Sequence, residues 1–413
     1  MTHVYHALLF GGVTALSACA AHIGLTAFHD GVRPFVRDVA AGRMERGPAA
    51  KSTWDMSVGF VAYYGIPFTL ATGVMEKHIL GLPADWIAVR LRRLTQVAVA
   101  GMAWGAAASA LVSLSQWGFE SLPRPMDGQL KQMAVPLLLL LPLVPVVAAV
   151  TQFGLVRALP VAVLTSGAYV AADVGSWDRP QAISLAVGAT VLVLLAMGER
   201  PDEVYPAPDE FTAGAKLVRR GVVPLSLNGA FLAVGTSLFW LAGEPASVML
   251  IGLSHDHWVE AALIGFISWI AFMPLVTLTA ITTGAYTTAG MPDGVLALGL
   301  LARSPFPAAA LGFLGMGSEL WALRRFERLL ARFPGLHGAG AGIRSGLLQV
   351  SELGLLIGGA RSANDMWPGI GLYVVGGFWL LNEVSGVRVM RVAVGPLAAI
   401  AVGLAFNARV ELA

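Results

Sequence analysis

Residues 67–73 read Pro-Phe-Thr-Leu-Ala-Thr-Gly, and residues 274–284 read Pro-Leu-Val-Thr-Leu-Thr-Ala-Ile-Thr-Thr-Gly. Each stretch places hydroxyl side chains between a proline and a glycine inside a long apolar segment. Proline removes a backbone donor and glycine permits a left-handed turn, so both stretches predict broken helices. In a membrane, a broken helix persists only where protein or a water-filled cavity satisfies its free backbone groups. The two stretches therefore predict two specialised sites in a membrane domain.

Other matches between the two halves of the chain follow in the same order, 207 to 210 positions apart. Besides the two prolines, the matched positions are Gly81 to Asp85 with Gly290 to Asp293, Arg93 with Arg303, and Asp173 with Glu383. Internal repeats are typical of secondary transporters. We therefore predict one membrane domain with a first repeat at 1–198, a linker at 199–220 and a second repeat at 221–413.

The composition is that of a membrane protein. Of the 413 residues, 56% are hydrophobic and 13% are charged, and the mean hydropathy is +0.71. Soluble domains carry about 25% charged residues. Apolar runs of about 20 residues, each long enough to cross a bilayer, recur at 5–28, 53–75, 94–117, 133–152, 155–175, 181–198, 221–242, 259–289, 305–322, 342–360, 368–384 and 389–407. The predicted fold class is an all-α integral membrane protein with about 10–12 transmembrane helices.

Several kinds of chemistry are not expected of this chain. Its basic residues are spread over many short loops, so no nucleic-acid partner is expected. No Walker-type phosphate loop is present in the sequence, which argues against ATP-driven pumping. The one cysteine, Cys19, excludes an internal disulfide and a cysteine-based zinc site. We expect no metal and no cofactor, apart from a coupling proton or sodium ion.

The distribution of Lys and Arg predicts the orientation, because these residues are held on the cytoplasmic side. They concentrate in 29–52, 90–93, 199–220 and 323–344. Placing both of the first two segments inside requires that 53–90 leave and return on one side as a re-entrant hairpin. With 259–301 as its counterpart, each half has an odd number of crossings, so the two repeats are inverted. The termini are then periplasmic and the linker is cytoplasmic. The rival arrangement is twelve plain crossings in two parallel halves.

The candidate substrate site combines the two broken hairpins. Freed backbone groups and hydroxyls would form an uncharged cradle for a small polar or anionic solute. Its predicted members are Thr69, Thr72, Gly73, Thr279, Thr282, Thr283, Gly284 and the neighbouring Tyr64. The alternative is that the threonines bond to their own helices and that the tyrosine fills the core.

Polar residues at membrane depth provide candidates for the coupling ion. Asp173 and Glu383 hold matched positions in the repeats, Asn382 precedes Glu383, and Glu352 lies in an apolar run. A carboxylate there could take up a proton or a sodium ion together with the solute. The alternatives are solvated carboxylates at membrane ends and, for Glu352, a structural ion pair.

These observations favour a secondary transporter, with an elevator movement, over an enzyme. The expected partners are the lipid bilayer and an unidentified small solute, and a homodimer is left open. One alternative is a membrane-embedded enzyme, although no HExxH or GxSxG motif is present in the sequence. The other is a channel or an assembly subunit that transports nothing.

Three stretches resemble a known family: Phe28 to Pro34 (Phe-His-Asp-Gly-Val-Arg-Pro), residues 59–73, and Leu381-Asn382-Glu383. They are similar to the YhfT family of polytopic bacterial inner-membrane proteins, and the likeness covers most of the chain. The resemblance implies a location in the bacterial inner membrane and a transport role. It assigns no catalytic or binding residue, because the family has no characterised function.

Overall fold

The computed structural model describes residues 2–29, 32–199, 212–287, 292–385 and 389–412, and it is almost entirely helical. The prediction of an all-α protein is therefore confirmed. Among the described residues, seven helices are long and apolar enough to cross a membrane: Val4–His22, Leu94–Glu120, Leu143–Val174, Pro180–Gly198, His255–Ala280, Pro305–Leu323 and Arg391–Leu412. This set indicates a multi-pass membrane protein. The predicted count of 10–12 crossings stays a prediction.

The elements alternate between long helices and short helical pieces. In the first half they are α1 (Thr2–His22), β1 (Thr26–Ala27), α2 (Arg33–Ala40), α3 (Arg46–Phe60), a π-helical turn (Val61–Gly65), α4 (Ile66–Thr72), β2 (Met75–Glu76), α5 (Lys77–Arg90), α6 (Leu94–Glu120), α7 (Asp127–Lys131), α8 (Ala134–Leu140), α9 (Leu143–Val174) and α10 (Pro180–Gly198). Most of the predicted linker, residues 200–211, lies outside the described residues.

The second half follows a similar order. Its elements are α11 (Thr212–Ser237), β3 (Leu241–Ala242), α12 (Pro245–Leu253), a 3-10 turn (His255–His257), α13 (Trp258–Thr283), β4 (Tyr286–Thr287), α14 (Pro292–Ala302), α15 (Pro305–Arg332), α16 (Gly335–Met366), α17 (Ile370–Val384) and α18 (Arg391–Leu412). The twelve predicted spans lie on these helices. The predicted boundary between 133–152 and 155–175 coincides with Gly154, which breaks α9 with a φ of 78°.

Residues 46–90 form an antiparallel helical hairpin, called hairpin 1. At its open end, the Arg46 guanidinium donates to the carbonyls of Val89 (2.9 Å) and Leu91 (2.7 Å). Further along, the Ser57 hydroxyl donates to the carbonyl of Leu82 at 3.0 Å. The chain therefore returns to the point where the hairpin begins, as the distribution of basic residues predicts.

Residues 258–302 form a second antiparallel hairpin, called hairpin 2. The Arg303 guanidinium, just after its end, lies 5.0 Å from the ring centre of Trp258 at its start. Gly265 of α13 lies against the backbone of Asp293 in α14, where an added Cβ would be 3.0 Å from the carbonyl oxygen. Both stretches therefore end at the tip of a hairpin, at Gly73 and Gly284. The predicted break at Pro274 is wrong, because α13 continues through this proline from Trp258 to Thr283.

Each hairpin tip pairs with an extended segment from the other half of the chain. Strand β2 at the tip of hairpin 1 is parallel to β3, and the Met75 amide donates to the Trp240 carbonyl at 2.9 Å. Strand β4 at the tip of hairpin 2 is parallel to β1, and the Tyr286 amide donates to the Leu25 carbonyl at 2.8 Å. These short pairs satisfy backbone groups that the helix breaks leave free.

The first helices of the two halves, α1 and α11, pack against each other in opposite directions. The Asn228 amide donates to the Ser17 hydroxyl at 3.1 Å, whereas Leu9 lies against Gly235. Each of these helices also packs on a long helix of its own half, α1 on α6 and α11 on α15. Together with α2, α12 and the two hairpins, these four helices form what we call the hairpin bundle.

The remaining helices, α7–α10 and α16–α18, form the second bundle. Its centre is α16, which packs through glycines on the backbone of α8 and α9. An added Cβ at Gly346 would be 2.6 Å from the Val144 carbonyl oxygen, and one at Gly354 would be 2.6 Å from Leu137 Cα. Contacts of this closeness are typical of helix packing in membranes.

Candidate functional site

The two hairpin tips are built in the same way. Helix α4 ends at Gly73, with a φ of 76°, and α13 ends at Gly284, with a φ of 69°. Before each glycine, a threonine hydroxyl donates to the carbonyl four residues earlier, Thr72 to Phe68 (2.7 Å) and Thr283 to Thr279 (2.6 Å). A glycine in the left-handed region is a common way to end a helix. The sequence match therefore reflects a shared backbone geometry.

A cavity of about 220 Å³ lies where hairpin 1, α12 and α13 face the second bundle. The hairpin bundle contributes Tyr64, His78, Glu244 and Ser268 to its wall, among others. The second bundle contributes Arg344, Leu347, Leu348 and Ser351 from α16, and Met390 precedes α18. Pockets with an apolar wall and a few convergent polar groups are typical of small-molecule sites.

A buried charged cluster lies beside this cavity. The Lys77 ammonium, 3% exposed, pairs with Glu244 Oε1 at 3.2 Å and with the Asp293 carboxylate. The next residue, His78, places Nδ1 at 2.5 Å from Glu76 Oε1, and its amide donates to Glu76 Oε2 at 2.8 Å. We call these five residues the Lys77 cluster. It joins the tip of hairpin 1, the start of α12 and the start of α14.

The His78 imidazole lies in the cavity wall and is surrounded by aromatic rings. Its ring centre lies 5.3 Å from that of Tyr64, 5.1 Å from that of Phe28 and 6.0 Å from that of Phe60. Tyr64 belongs to the π-helical turn, and such turns are frequent at functional sites. Pro67 lies in the first turn of α4, directly after the π-helical turn.

Asp85 and Asp293 hold matched positions, and both face backbone that follows a short strand. The Asp85 carboxylate accepts the Phe28 amide at 2.8 Å and the His29 amide at 3.4 Å, just after β1. Asp293 lies against Gly243, just after β3, where an added Cβ would be 2.6 Å from Asp293 Oδ1. The two sites differ because only Asp293 pairs with a lysine.

A further set of buried polar residues lies near the pair of strands β1 and β4. The Tyr286 hydroxyl donates to Glu319 Oε2 at 2.8 Å. Arg33 is fully buried nearby and donates to the Val276 carbonyl at 3.4 Å. These residues hold the pair of β1 and β4 to α13 and α15, and the cavity lining does not include them.

The predicted threonines serve the backbone of the hairpin tips. Thr69 accepts the Glu76 amide at 3.0 Å, Thr279 donates to the Leu275 carbonyl at 2.8 Å, and Thr72 and Thr283 bond within their helices. Of the predicted cradle, Tyr64 lines the cavity and Gly73 and Gly284 form the turns. The side chain of Thr282 lies outside the described residues.

The predicted coupling residues lie in two places. Asp173 is exposed at the end of α9. Glu383 at the end of α17 forms a bidentate pair with Arg391, at 2.8 and 2.7 Å, and the Asn382 side chain accepts the Val389 amide at 2.7 Å. Glu352 of α16 lies within electrostatic range of both members of that pair.

The sequence reasoning missed Lys77, His78 and Glu244 as a site. Lys77 pairs with residues 167 and 216 positions away, so no local pattern reveals its partners. One usable signal was present, since a lysine directly after a helix break in an apolar segment needs a buried counter-ion. Among the described residues, no group of three or more His, Cys, Asp or Glu side chains is arranged to hold a metal ion.

Comparison with known proteins identifies relatives but no established activity. The model of the YhfT family, described as a protein of unknown function, matches residues 6–412. The uncharacterised protein YhfT of Escherichia coli (strain K12) is 28% identical, over 96% of this chain and 95% of its own length. No solved structure matches the chain. The chain belongs to the YhfT family.

Proposed function

We propose that this member of the YhfT family is a secondary transporter of a small polar solute. The observation that carries the proposal is the cavity between the two bundles, which has charged and hydroxyl groups on both walls. A solute there contacts His78, Glu244 and Ser268 on one side and Arg344 and Ser351 on the other. Movement of one bundle against the other would then open the site to each face of the membrane in turn.

The architecture supports inverted repeats. The two hairpin tips share their turn and capping geometry, and each tip pairs with the strand that follows the first helix of the other half. The equivalent helices α1 and α11 run antiparallel. In the second bundle, α8 and the first part of α9 run antiparallel to α16. Equivalent elements in opposite directions are what inverted-topology repeats produce.

An elevator movement fits the division into two bundles. The hairpin bundle carries the tips and the Lys77 cluster, and the second bundle closes the cavity. Arg179, before α10, links the bundles through a 3.1 Å pair with Glu260 at the start of α13. Sliding of the hairpin bundle would break this pair, so it would hold the present conformation. We further propose that the protein lies in the inner membrane with periplasmic termini and a cytoplasmic linker. The polar groups of the cavity indicate the class of solute.

The recognition groups that we propose from the cavity differ from those of the predicted cradle. The threonines of the hairpin tips shape the breaks, whereas Arg344, Ser351, Glu244 and His78 supply charge and hydrogen bonds to the solute. Arg344 forms no ion pair with any carboxylate in the described parts of the chain and lies 5.5 Å from the ring centre of Phe272. It therefore suits a solute with an acidic group, and Glu244 suits a donor on the same molecule.

The test is ligand binding by the purified protein. We expect at least one member of a panel of small metabolites to raise the melting temperature, because a ligand at 100 times its Kd stabilises the folded state by about 2.7 kcal/mol. Arg344→Gln and Ser351→Ala should abolish that shift. Glu120→Gln, at the exposed end of α6, is the matched control and should preserve it. A shift that survives both cavity variants would contradict this site.

A further inference from the structure

The Lys77 cluster contains more negative than positive groups. Glu76, Glu244 and Asp293 contribute three carboxylates, whereas Lys77 and, at most, His78 contribute two positive charges. At least one negative charge is therefore in excess when all carboxylates are ionised. Glu76 and Asp293 are completely buried and Lys77 is 3% exposed, whereas the Glu244 side chain is 16% exposed towards the cavity, so water does not reach most of the cluster. An uncompensated charge in such a place is strongly unfavourable.

The geometry shows where the excess lies. A single ammonium, that of Lys77, bridges the carboxyl groups of Glu244 and Asp293. Because both carboxyl groups contact the same ammonium, they lie close enough to repel each other when both are ionised. Asp293 Oδ2 is buried and receives no hydrogen bond from any described residue. Two carboxylates that share one site cannot both ionise easily, and a proton between them removes the repulsion.

In the described parts of the chain, no Lys or Arg side chain other than Lys77 pairs with the carboxyl groups of the cluster. Among the described residues, the titratable and charged side chains around the cluster and its neighbours are His29, Tyr64, Arg344, Glu352, Glu319 and Tyr286. Arg33 is buried near Tyr286 and donates to the Val276 carbonyl of α13 at 3.4 Å. Arg344 lines the cavity but forms no ion pair with a described carboxylate, and Glu319 and Glu352 add carboxyl groups.

We infer that Asp293 and Glu244 share a bound proton, and that this proton is the coupling ion of the transport cycle. The second statement rests on the proposed function; the first does not. Lys77 occupies the place between the carboxyl groups where a sodium ion would lie, and two cations there would repel. A proton needs no such space. The cluster is therefore suited to a proton rather than to a metal cation.

The cavity gives this proton a route to water. Glu244 lines the cavity, whereas Asp293 and Lys77 lie behind it. When the cavity opens to one side of the membrane, water reaches Glu244 and stabilises its ionised form. The proton then passes from the carboxyl pair to water, and Lys77 stays as the counter-ion of both carboxylates. A solute bound next to Glu244 changes the surroundings of this carboxyl group, so the release of the proton also depends on solute binding.

Infrared spectroscopy of the purified protein tests the bound proton without a substrate. At neutral pH we expect a carbonyl stretching band of a protonated carboxyl group that is lost in Asp293→Asn and reduced in Glu244→Gln. The matched control is Glu383→Gln, which removes a carboxylate held by Arg391 and should leave the band unchanged. Full retention of the band in both cluster variants would overturn the inference. Its disappearance from the unaltered protein on adding sodium chloride at constant pH would assign the site to sodium instead.

Coupling is tested by thiol labelling from each side of the membrane. Ser351→Cys, in a Cys19→Ala background, places the one cysteine in the cavity wall. We expect the ratio of labelling rates from the two sides to change at least several-fold between acidic and alkaline pH, and to be independent of pH when Asp293→Asn is added. Labelling from both sides with no pH dependence would overturn the coupling role. Labelling from one side alone would instead contradict the proposed function.

Discussion

At the scale of single residues, Gly284 tests the backbone geometry of a hairpin tip. Its φ of 69° lies in the left-handed region, and its tip geometry matches that of Gly73. We expect Gly284→Ala to lower the stability by about 1–2 kcal/mol, because a side chain makes this conformation unfavourable. Thermal unfolding in detergent measures the effect.

Two glycine variants serve as comparisons for that prediction. Gly73→Ala should have a similar cost, because its φ of 76° lies in the same region and the end of the Gln116 side chain that an added Cβ would meet can move aside. Gly118→Ala in α6 has open space around it and should be neutral or stabilising by up to about 1 kcal/mol. An unchanged melting temperature for Gly284→Ala would show that this turn is not needed for the fold.

Lys77 makes the second prediction at this scale. Lys77→Met leaves the buried carboxyl groups of Glu244 and Asp293 without their shared cation, and breaking a buried pair in this way costs about 3–5 kcal/mol. We expect a markedly lower melting temperature. Lys131→Met, which removes a surface pair with Asp127 at 3.7 Å, should change stability by less than about 1 kcal/mol. Equal melting temperatures for the two variants would argue against a tight cluster around Lys77.

The sequence predicts the residues that break the helices but not the contacts that form the site. Threonine and glycine act through the local backbone, so Thr72 and Gly73 are recognisable from their neighbours, whereas Pro274 does not end α13. The polar groups of the cavity come from distant parts of the chain. No periodic pattern in the sequence identifies the partners of Lys77. A threonine hydroxyl can bond either to a ligand or to the carbonyl four residues earlier, and the sequence alone does not distinguish the two.

At the scale of secondary-structure elements, the close packing of α16 on α8 and α9 depends on glycine. An added Cβ at Gly358 would collide with the Met133 carbonyl. We expect Gly358→Leu to destabilise the second bundle by about 1–3 kcal/mol or to prevent folding, because overpacking displaces the helices. Gly376→Leu in α17 is the matched control, since nothing lies within 4 Å of a Cβ added there. Size-exclusion chromatography and thermal unfolding should distinguish the two variants.

Charge and hydropathy predict the elements better than their pairings. Placing the basic segments 29–52 and 90–93 on one side of the membrane predicts a hairpin between them, and residues 46–90 form a helical hairpin. The four strands have only two residues each, which is too short for the alternation that identifies a strand in a sequence. They form because each helix break leaves backbone groups that the other half of the chain can satisfy.

At the scale of the whole molecule, the two bundles and the cavity between them are the basis of the account. Composition alone predicts a multi-pass helical membrane protein, because a chain with 13% charged residues cannot cover its surface in water. The arrangement of the helices depends on which faces pack, and glycines such as Gly101 and Gly312 determine how closely helices approach. A list of apolar spans does not contain that information.

The most direct test of the central claim is access to the cavity from each side of the bilayer. With Cys19→Ala removing the native thiol, Ser351→Cys is labelled in liposomes of known orientation with a membrane-impermeant thiol reagent. We expect this site to react from both sides, through alternately open states, whereas Glu120→Cys at the end of α6 should react from one side. Reaction of Ser351→Cys from one side only, under all conditions of pH and solute, would contradict a transporter in which this cavity carries the solute.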